Sequence, residues 1–272
     1  MKLSLSVTNY SWPGSLTPSL VDAATQADEG GLDTLWVADH LLQVDPFAPP
    51  GDTEMLEAYT TLGFLAARTS RIRLGTMVTG VTFRPSSLLV KAVTTLDVLS
   101  NGRAWLGVGT GHAEGEATEM GLPFPPTSER FEYLESTVRT ALSMWKESSP
   151  APASQPHPPL LIAGMGEKKT LRMVAEYAQA CNLPDIPDGG ETVRRKLEVL
   201  EGHCERLGRP FDAIDKTLST RLDLGESVQS FVDRCAVAAE LGMTHMVVIT
   251  MGAWSPAGID TLAKAAPEVA KL

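Results

Sequence analysis

Short apolar runs alternate with longer stretches in which apolar residues recur every three to four positions, and the alternation continues along the whole chain. Residues 3–7 read as a first strand. Leu20, Ala23, Ala24 and Ala27 then share one helical face, with Thr17-Pro18 at its start and Gly30-Gly31 at its end. Further strands fall at 34–38, 72–78, 103–108, 160–163, 180–183, 216–222 and 245–250. Between and after them lie helical stretches at 57–68, 85–99, 129–146, 167–179, 191–207, 227–241 and 259–271. In the third of the eight helices, Leu88, Leu89, Ala92, Val93, Leu96 and Leu99 form one expected face, and Asn101-Gly102 stops it. Eight β–α pairs without a leftover block predict parallel strands, right-handed crossovers and an α/β fold: a single (β/α)₈ TIM barrel over residues 1–272. The proline-rich segment 147–159 (ESSPAPASQPHPP) is too short to link domains and reads as a loop before the fifth strand.

Composition narrows the class of function. The 272 residues are 43% hydrophobic, enough for a sizeable core, and carry a formal net charge of −10. That field repels phosphate, against a general nucleic-acid or membrane-surface binder. Cys181, Cys204 and Cys235 are odd in number and lack metal or redox spacing, so reduced thiols, a cytoplasmic location and no metal are expected. The start MKLSLSVTNY lacks a signal-peptide run, and no stretch of about eighteen apolar residues exists to span a bilayer.

A barrel carries its chemistry on the loops after the carboxyl ends of its strands. Those loops hold Asn9, Tyr10 and Trp12; Asp39 and His40; Met77, Val78, Thr79 and Gly80; Gly109, Thr110, Gly111 and His112; Gly164, Met165 and Gly166; and Asn182. An Asp and a His at a strand end can act as acid, base or orienting group, or form a helix cap or a satisfied polar pair. His112 reads as a second site histidine or a solvated loop residue. The Gly164–Gly166 turn with Lys168 and Lys169 can bring backbone amides to a phosphate, or be an ordinary βα turn. Three glycines in Gly107-Val108-Gly109-Thr110-Gly111 allow close approach of a flat ligand or relieve crowding inside the barrel.

Four segments together resemble the bacterial-luciferase-like superfamily, in its F420-dependent oxidoreductase branch and closest to an actinobacterial subgroup. They are LDTLWVADHLL (32–42), RIRLGTMVTGVTFRPSSLLVKAVTTLDVLSNGRAWLGVGTG (71–111), GLPFPPTSERFEYLE (121–135) and PLLIAGMGEKKTLRMVAEYAQACNLP (159–184). The resemblance implies hydride transfer between the deazaflavin F420 and a small organic substrate. An FMN-dependent monooxygenase, or a cofactor-binding protein with little turnover, stands as the alternative. It implies catalytic roles for His40, Asp39 and His112, with His40 exchanging the proton and Asp39 orienting or tuning it. It also implies cofactor contacts from Asp39, Met77, Val78, Thr110, Gly111, Glu116, Ala163, Gly164, Met165 and Gly166. A non-proline cis peptide is implied at Met77-Val78. Lys168, Lys169 and Arg172 are the expected partners of the acidic tail of F420. Relatives are often homodimers through outer helices, which leaves a homodimer as an open expectation. Two departures stand out. His112 occupies the place of an acidic proton donor in the superfamily's sugar-phosphate dehydrogenase, which argues against the same chemistry on the same substrate. The insertion before the fifth strand is shortened to 147–159, which removes a candidate lid or dimer element.

Overall fold

The computed structural model describes residues 1–272. Its strands are β1 (Lys2–Val7), β2 (Thr34–Val37), β3 (Arg73–Thr76), β4 (Thr79–Gly80), β5 (Leu106–Gly109), β6 (Leu160–Ala163), β7 (Ala180–Pro184), β8 (Asp215–Arg221) and β9 (His245–Ile249). All pairings are parallel, in the order β3-β2-β1-β9-β8-β7-β6-β5-β4. β3 and β4 are halves of one strand, so the sheet has eight staves. The ring closes where the Leu74 amide donates to the Arg103 carbonyl (2.8 Å), the Trp105 amide to the Leu74 carbonyl (2.8 Å), and β4 pairs with β5. Around it run α1 (Leu16–Glu29), α2 (Ala58–Ala66), α3 (Ser86–Leu99), α4 (Glu114–Glu119), α5 (Thr127–Glu147), α6 (Thr170–Tyr177), α7 (Glu191–Leu207), α8 (Val228–Glu240) and α9 (Pro256–Val269). The fold is the expected (β/α)₈ barrel. No helix is long and apolar enough to cross a membrane.

Two apolar layers hold it. A large cluster fills the space between helices and sheet, and a small one of Trp36, Trp105, Leu161, Ala180 and Val247 fills the barrel itself. The Trp36 and Trp105 rings lie 5.6 Å apart, which leaves no room for a side chain at residue 75: a Cβ there would stand 2.7 Å from the Trp36 ring. Met77, Val78 and Ala163 pack on this inner cluster. The Met77–Val78 bond is cis. Here the backbone passes so close to β5 that a Cβ on Gly107 would be 2.0 Å from the Thr76 carbonyl oxygen. Crowding, the plainer of the two readings of the glycine run, therefore accounts for Gly107.

Several boundaries differ from expectation, each for a local reason. The third strand does not run unbroken over 72–78; it stops at Thr76 and resumes at Thr79. α1 begins at Leu16, with Ser15 rather than Thr17 at its cap. On α3, Leu88 and Leu99 are exposed while Val90, Thr94 and Asp97 are buried. The polar pair is inside because Thr94 accepts from the Trp145 indole (3.0 Å) and Asp97 accepts from the Ser154 amide (2.8 Å) and hydroxyl (2.6 Å). Apolar spacing alone misses such a face. The short α4, after β5, has no apolar period and was not expected.

Candidate active site

The carboxyl ends of β2, β4, β5 and β6 open on a cavity of about 280 Å³. Its walls include Asp39, His40, Met77, Val78, Thr110, Gly111, His112, Ala163 and Gly164, together with Phe83 and Gly109. Nine of the expected site residues thus share one space. Met165 and Gly166 lie outside it, exposed on the turn that leads from β6 to α6. Asn182 is spent on β8, donating to the hydroxyls of Thr217 (2.8 Å) and Ser219 (2.9 Å).

Asp39 and His40 are adjacent in sequence but have different partners. Both oxygens of the buried Asp39 carboxylate are held by Arg84, at 2.6 and 2.9 Å, and the Thr79 hydroxyl donates to one of them at 2.7 Å. Arg84 also donates to Glu57 (2.6 Å) and lies over the Tyr59 ring, whose hydroxyl meets Thr79 at 2.9 Å. Burial works against the Arg84 charge. The fork to Asp39 and the bond to Glu57 outweigh it and hold the guanidinium charged more firmly than in free arginine. Burial, with the nearby Asp39 charge, raises the Tyr59 hydroxyl well above its usual range, so it stays protonated. Asp39 is therefore fixed within this network, and none of its hydrogen bonds goes to His40.

Glu116 takes that place. The first turn of α4 carries it beneath His40, where its buried carboxylate meets His40 Nδ1 at 2.7 Å. The same carboxylate accepts from the Leu41 amide and, at 3.1 Å, from the Leu42 amide. The two amides occupy one Glu116 oxygen and leave the other to accept from His40 Nδ1–H; in that tautomer Nε2 keeps its lone pair. Glu116, expected along the cofactor, does not line the cavity. His112 stands edge-on to His40, with centroids 5.4 Å apart. Burial and then the neighbouring His40 lower the His112 pKa, partly offset by Glu116, so His112 takes up a proton less readily than a free histidine.

The β6–α6 turn has the chemistry of an anion cradle. Backbone amides 166–170 donate to no group in the protein, while the Leu171 amide begins the helical pattern by donating to the Gly166 carbonyl. Gly164 has φ +126°, and a Cβ on Gly166 would stand 2.7 Å from the Thr170 hydroxyl. Of the three expected tail partners, Arg172 is taken by Glu176 and Glu135, Lys169 lies over the Phe131 ring, and Lys168 is exposed. Sequence reading placed Thr79 on a site loop but did not single out Arg84, Glu57, Tyr59 or Phe83 for function. The sole signal was the arginine before Pro85, at the start of α3.

Comparison with known proteins agrees with this architecture. The sequence profile of the luciferase-like monooxygenase family matches residues 1–247. The F420-dependent glucose-6-phosphate dehydrogenase of Kineococcus radiotolerans is 31% identical over 247 residues, 83% of this chain and 69% of that protein. Among solved structures, an F420-dependent secondary alcohol dehydrogenase in complex with an F420–acetone adduct superposes with a TM-score of 0.81 at 15% identity, over 98% of both chains. The coenzyme F420-dependent tetrahydromethanopterin reductase of Methanopyrus kandleri gives 0.75 at 15% identity, over 99% of this chain and 98% of that one. The profile match over most of the chain and the barrel that carries it make this protein a member of the luciferase-like monooxygenase family.

Proposed function

We propose that the chain is an F420-dependent oxidoreductase that moves a hydride between the deazaflavin and a small organic substrate at the barrel mouth. One observation carries the reading: the cavity beside Met77 and Val78 reaches Gly164, where the turn with free amides at 166–170 begins. A flat ring needs the first and a phosphate the second. The fit is supported by glycines at 80, 109, 111 and 164 along the cavity and by the buried Thr82 hydroxyl beside Gly111, which has no partner in the protein. When bound, F420 supplies the two-electron hydride chemistry. Met77, Val78, Thr110, Gly111 and Ala163 would hold the ring, and Gly164, Met165 and Gly166 the phosphate. His40 Nε2 takes or gives the substrate proton, while Glu116 fixes the imidazole and stabilises its charged form. Asp39, held by Arg84 and Thr79, would lie beside the ring. The exposed Lys168 favours a cofactor with an acidic tail over FMN. Leu88 and Leu99 on the outer face of α3 give a homodimer an apolar surface.

Calorimetric titration with F420 and FMN tests this. Tighter binding of F420 is expected. If FMN bound at least as tightly and F420 did not compete with it, the proposal would be wrong.

A further inference from the structure

A second cavity, of about 380 Å³, opens at the other end of the barrel, where the strands begin. Arg73, the first residue of β3, forms one wall, and Gln179, just before β7, another. The third wall is Ser154, Gln155 and His157, from the proline-rich segment 147–159, which the deazaflavin site does not use. One glycine and two prolines complete the lining, so the space is polar.

Arg73 has no partner for its charge. No carboxylate stands within 4.0 Å of it, and its buried Nε meets no acceptor. The guanidinium lies 4.8 Å over the Trp105 ring, but a ring face does not satisfy N–H groups that point along the guanidinium plane. Arg103, at the same end, is settled by contrast: it donates to the carbonyls of Ser100 (2.8 Å), Ile72 (2.8 Å) and Ala66 (2.9 Å). Three carboxylates act on Arg73 through their field, and each is held elsewhere. Asp33 accepts from the Thr34 hydroxyl (2.6 Å), Asp97 from the Ser154 hydroxyl (2.6 Å) and Asp215 from Lys2 (2.5 Å). With Lys2, Arg73 and Arg103 among them, the charges at this end balance, so one added negative charge is tolerated and a dianion is opposed. His157 Nδ1 donates to the Pro158 carbonyl (2.8 Å), which leaves Nε2 without a partner in the protein. A buried donor left open in this way calls for a bound acceptor.

We infer that Arg73 receives a small monocarboxylate at the amino end of the barrel, the planar carboxylate set against the guanidinium fork and closed in by Gln155 and His157. A fork of parallel N–H groups matches two carboxylate oxygens, and the polar lining limits the ligand to a short, hydrophilic one. The layer of Trp36 and Trp105 separates this site from the cavity at Met77 and Val78, so it stands whether or not F420 binds there.

The test is calorimetry on the full chain in chloride-free buffer at about pH 8, where phosphate is a dianion. The probes are acetate, its neutral counterpart acetamide, and inorganic phosphate. One acetate per chain is expected, with Kd below about 10 mM and at least about tenfold tighter than acetamide or phosphate. Arg73→Gln removes the charge and should weaken acetate binding about tenfold or more. Gln155→Glu, at an exposed position that leaves the core untouched, should do the same by repulsion, and it reads the site even if Arg73→Gln does not fold. Absence of saturable acetate binding would overturn the inference. So would acetamide or phosphate binding as tightly as acetate, or unchanged acetate affinity in Gln155→Glu or in a folded Arg73→Gln protein.

Discussion

Replacing Glu116 with glutamine changes one atom type and should disable His40. The Leu41 and Leu42 amides both donate to one Glu116 oxygen, so a glutamine must keep its carbonyl oxygen there. Its NH₂ group then faces His40 Nδ1, where the carboxylate oxygen stood at 2.7 Å. Two donors cannot share a hydrogen bond, so Nδ1 must become the acceptor and the proton moves to Nε2, the position that has to receive the substrate proton. The charged state suffers as well. With charge centres roughly 4 Å apart and an effective dielectric of ~20, the carboxylate stabilises an imidazolium by about 4 kcal/mol. Allowing for relaxation and water, the loss is about 2–4 kcal/mol, or roughly 30- to 1,000-fold in a step that passes through the imidazolium. Two measurements check it: ¹⁵N NMR of the His40 ring in the free protein should show the tautomer change, and turnover should fall by that factor with F420 affinity nearly unchanged. A Glu116→Gln protein that keeps the Nδ1–H tautomer and turns over within about threefold of the parent would refute the pairing.

Other outcomes follow from geometry already given. Gly166→Val places a branched side chain against the Thr170 hydroxyl, 2.7 Å from the added Cβ, and should weaken F420 binding by more than about tenfold in calorimetry. Asp28 accepts from the amides of Ser70 (2.9 Å), Arg71 (2.9 Å) and Ile72 (2.6 Å). Asp28→Ala leaves these donors without their acceptor and should cost about 3 kcal/mol in urea unfolding. Burial alone would raise the Asp28 pKa, but those bonds outweigh it and hold the pKa below its usual value. The stabilisation it gives is therefore present above about pH 4 and is lost as pH falls through the depressed value. His245, buried at the other end of the barrel against Ser4 (2.5 Å), is held down to about 4 by burial, against the pull of Asp33 and Asp215. Between about pH 6.5 and that value the unfolded chain binds a proton that the native chain refuses, so stability falls on acidification by up to about 1.4 kcal/mol per pH unit. His245→Gln should flatten that slope in urea titrations.

The barrel was legible because its signal is local. The sixth stave's neighbour β6 and the helix α7 begin and end where periodicity put them, since each has a clean apolar face and turn residues at both ends. The break in the third strand escaped the apolar pattern, and only the cis bond within it was legible, through family resemblance. IRLGTMV reads as one strand, and the close approach of its Thr76 carbonyl to Gly107, far along the chain, leaves no mark in that local pattern. The site was legible as a set of loops but not as a set of partners. Asp39 and His40 look like a pair because they are neighbours, yet their side chains meet different partners. One is bound by Arg84 and the other by Glu116, 76 residues away. No spacing rule reaches across that distance. α4, which delivers Glu116, is a polar helix of six residues that hydrophobic periodicity does not register.

Gly107 has a consequence for how such sequences change over time. Its hydrogen faces the Thr76 carbonyl, in space no methyl group can enter while the third strand keeps its inward course. A side chain at 107 is tolerable only if that strand straightens, and a straightened strand takes Met77 and Val78 away from the cavity wall. The glycine and the break in the third strand therefore form one heritable unit. Neither is reachable from its alternative by a single neutral substitution, and lineages that keep the cavity must keep both. A glycine at this position across distant relatives would thus record a path of the main chain, and it would persist through changes of substrate that rewrite every side chain on the rim.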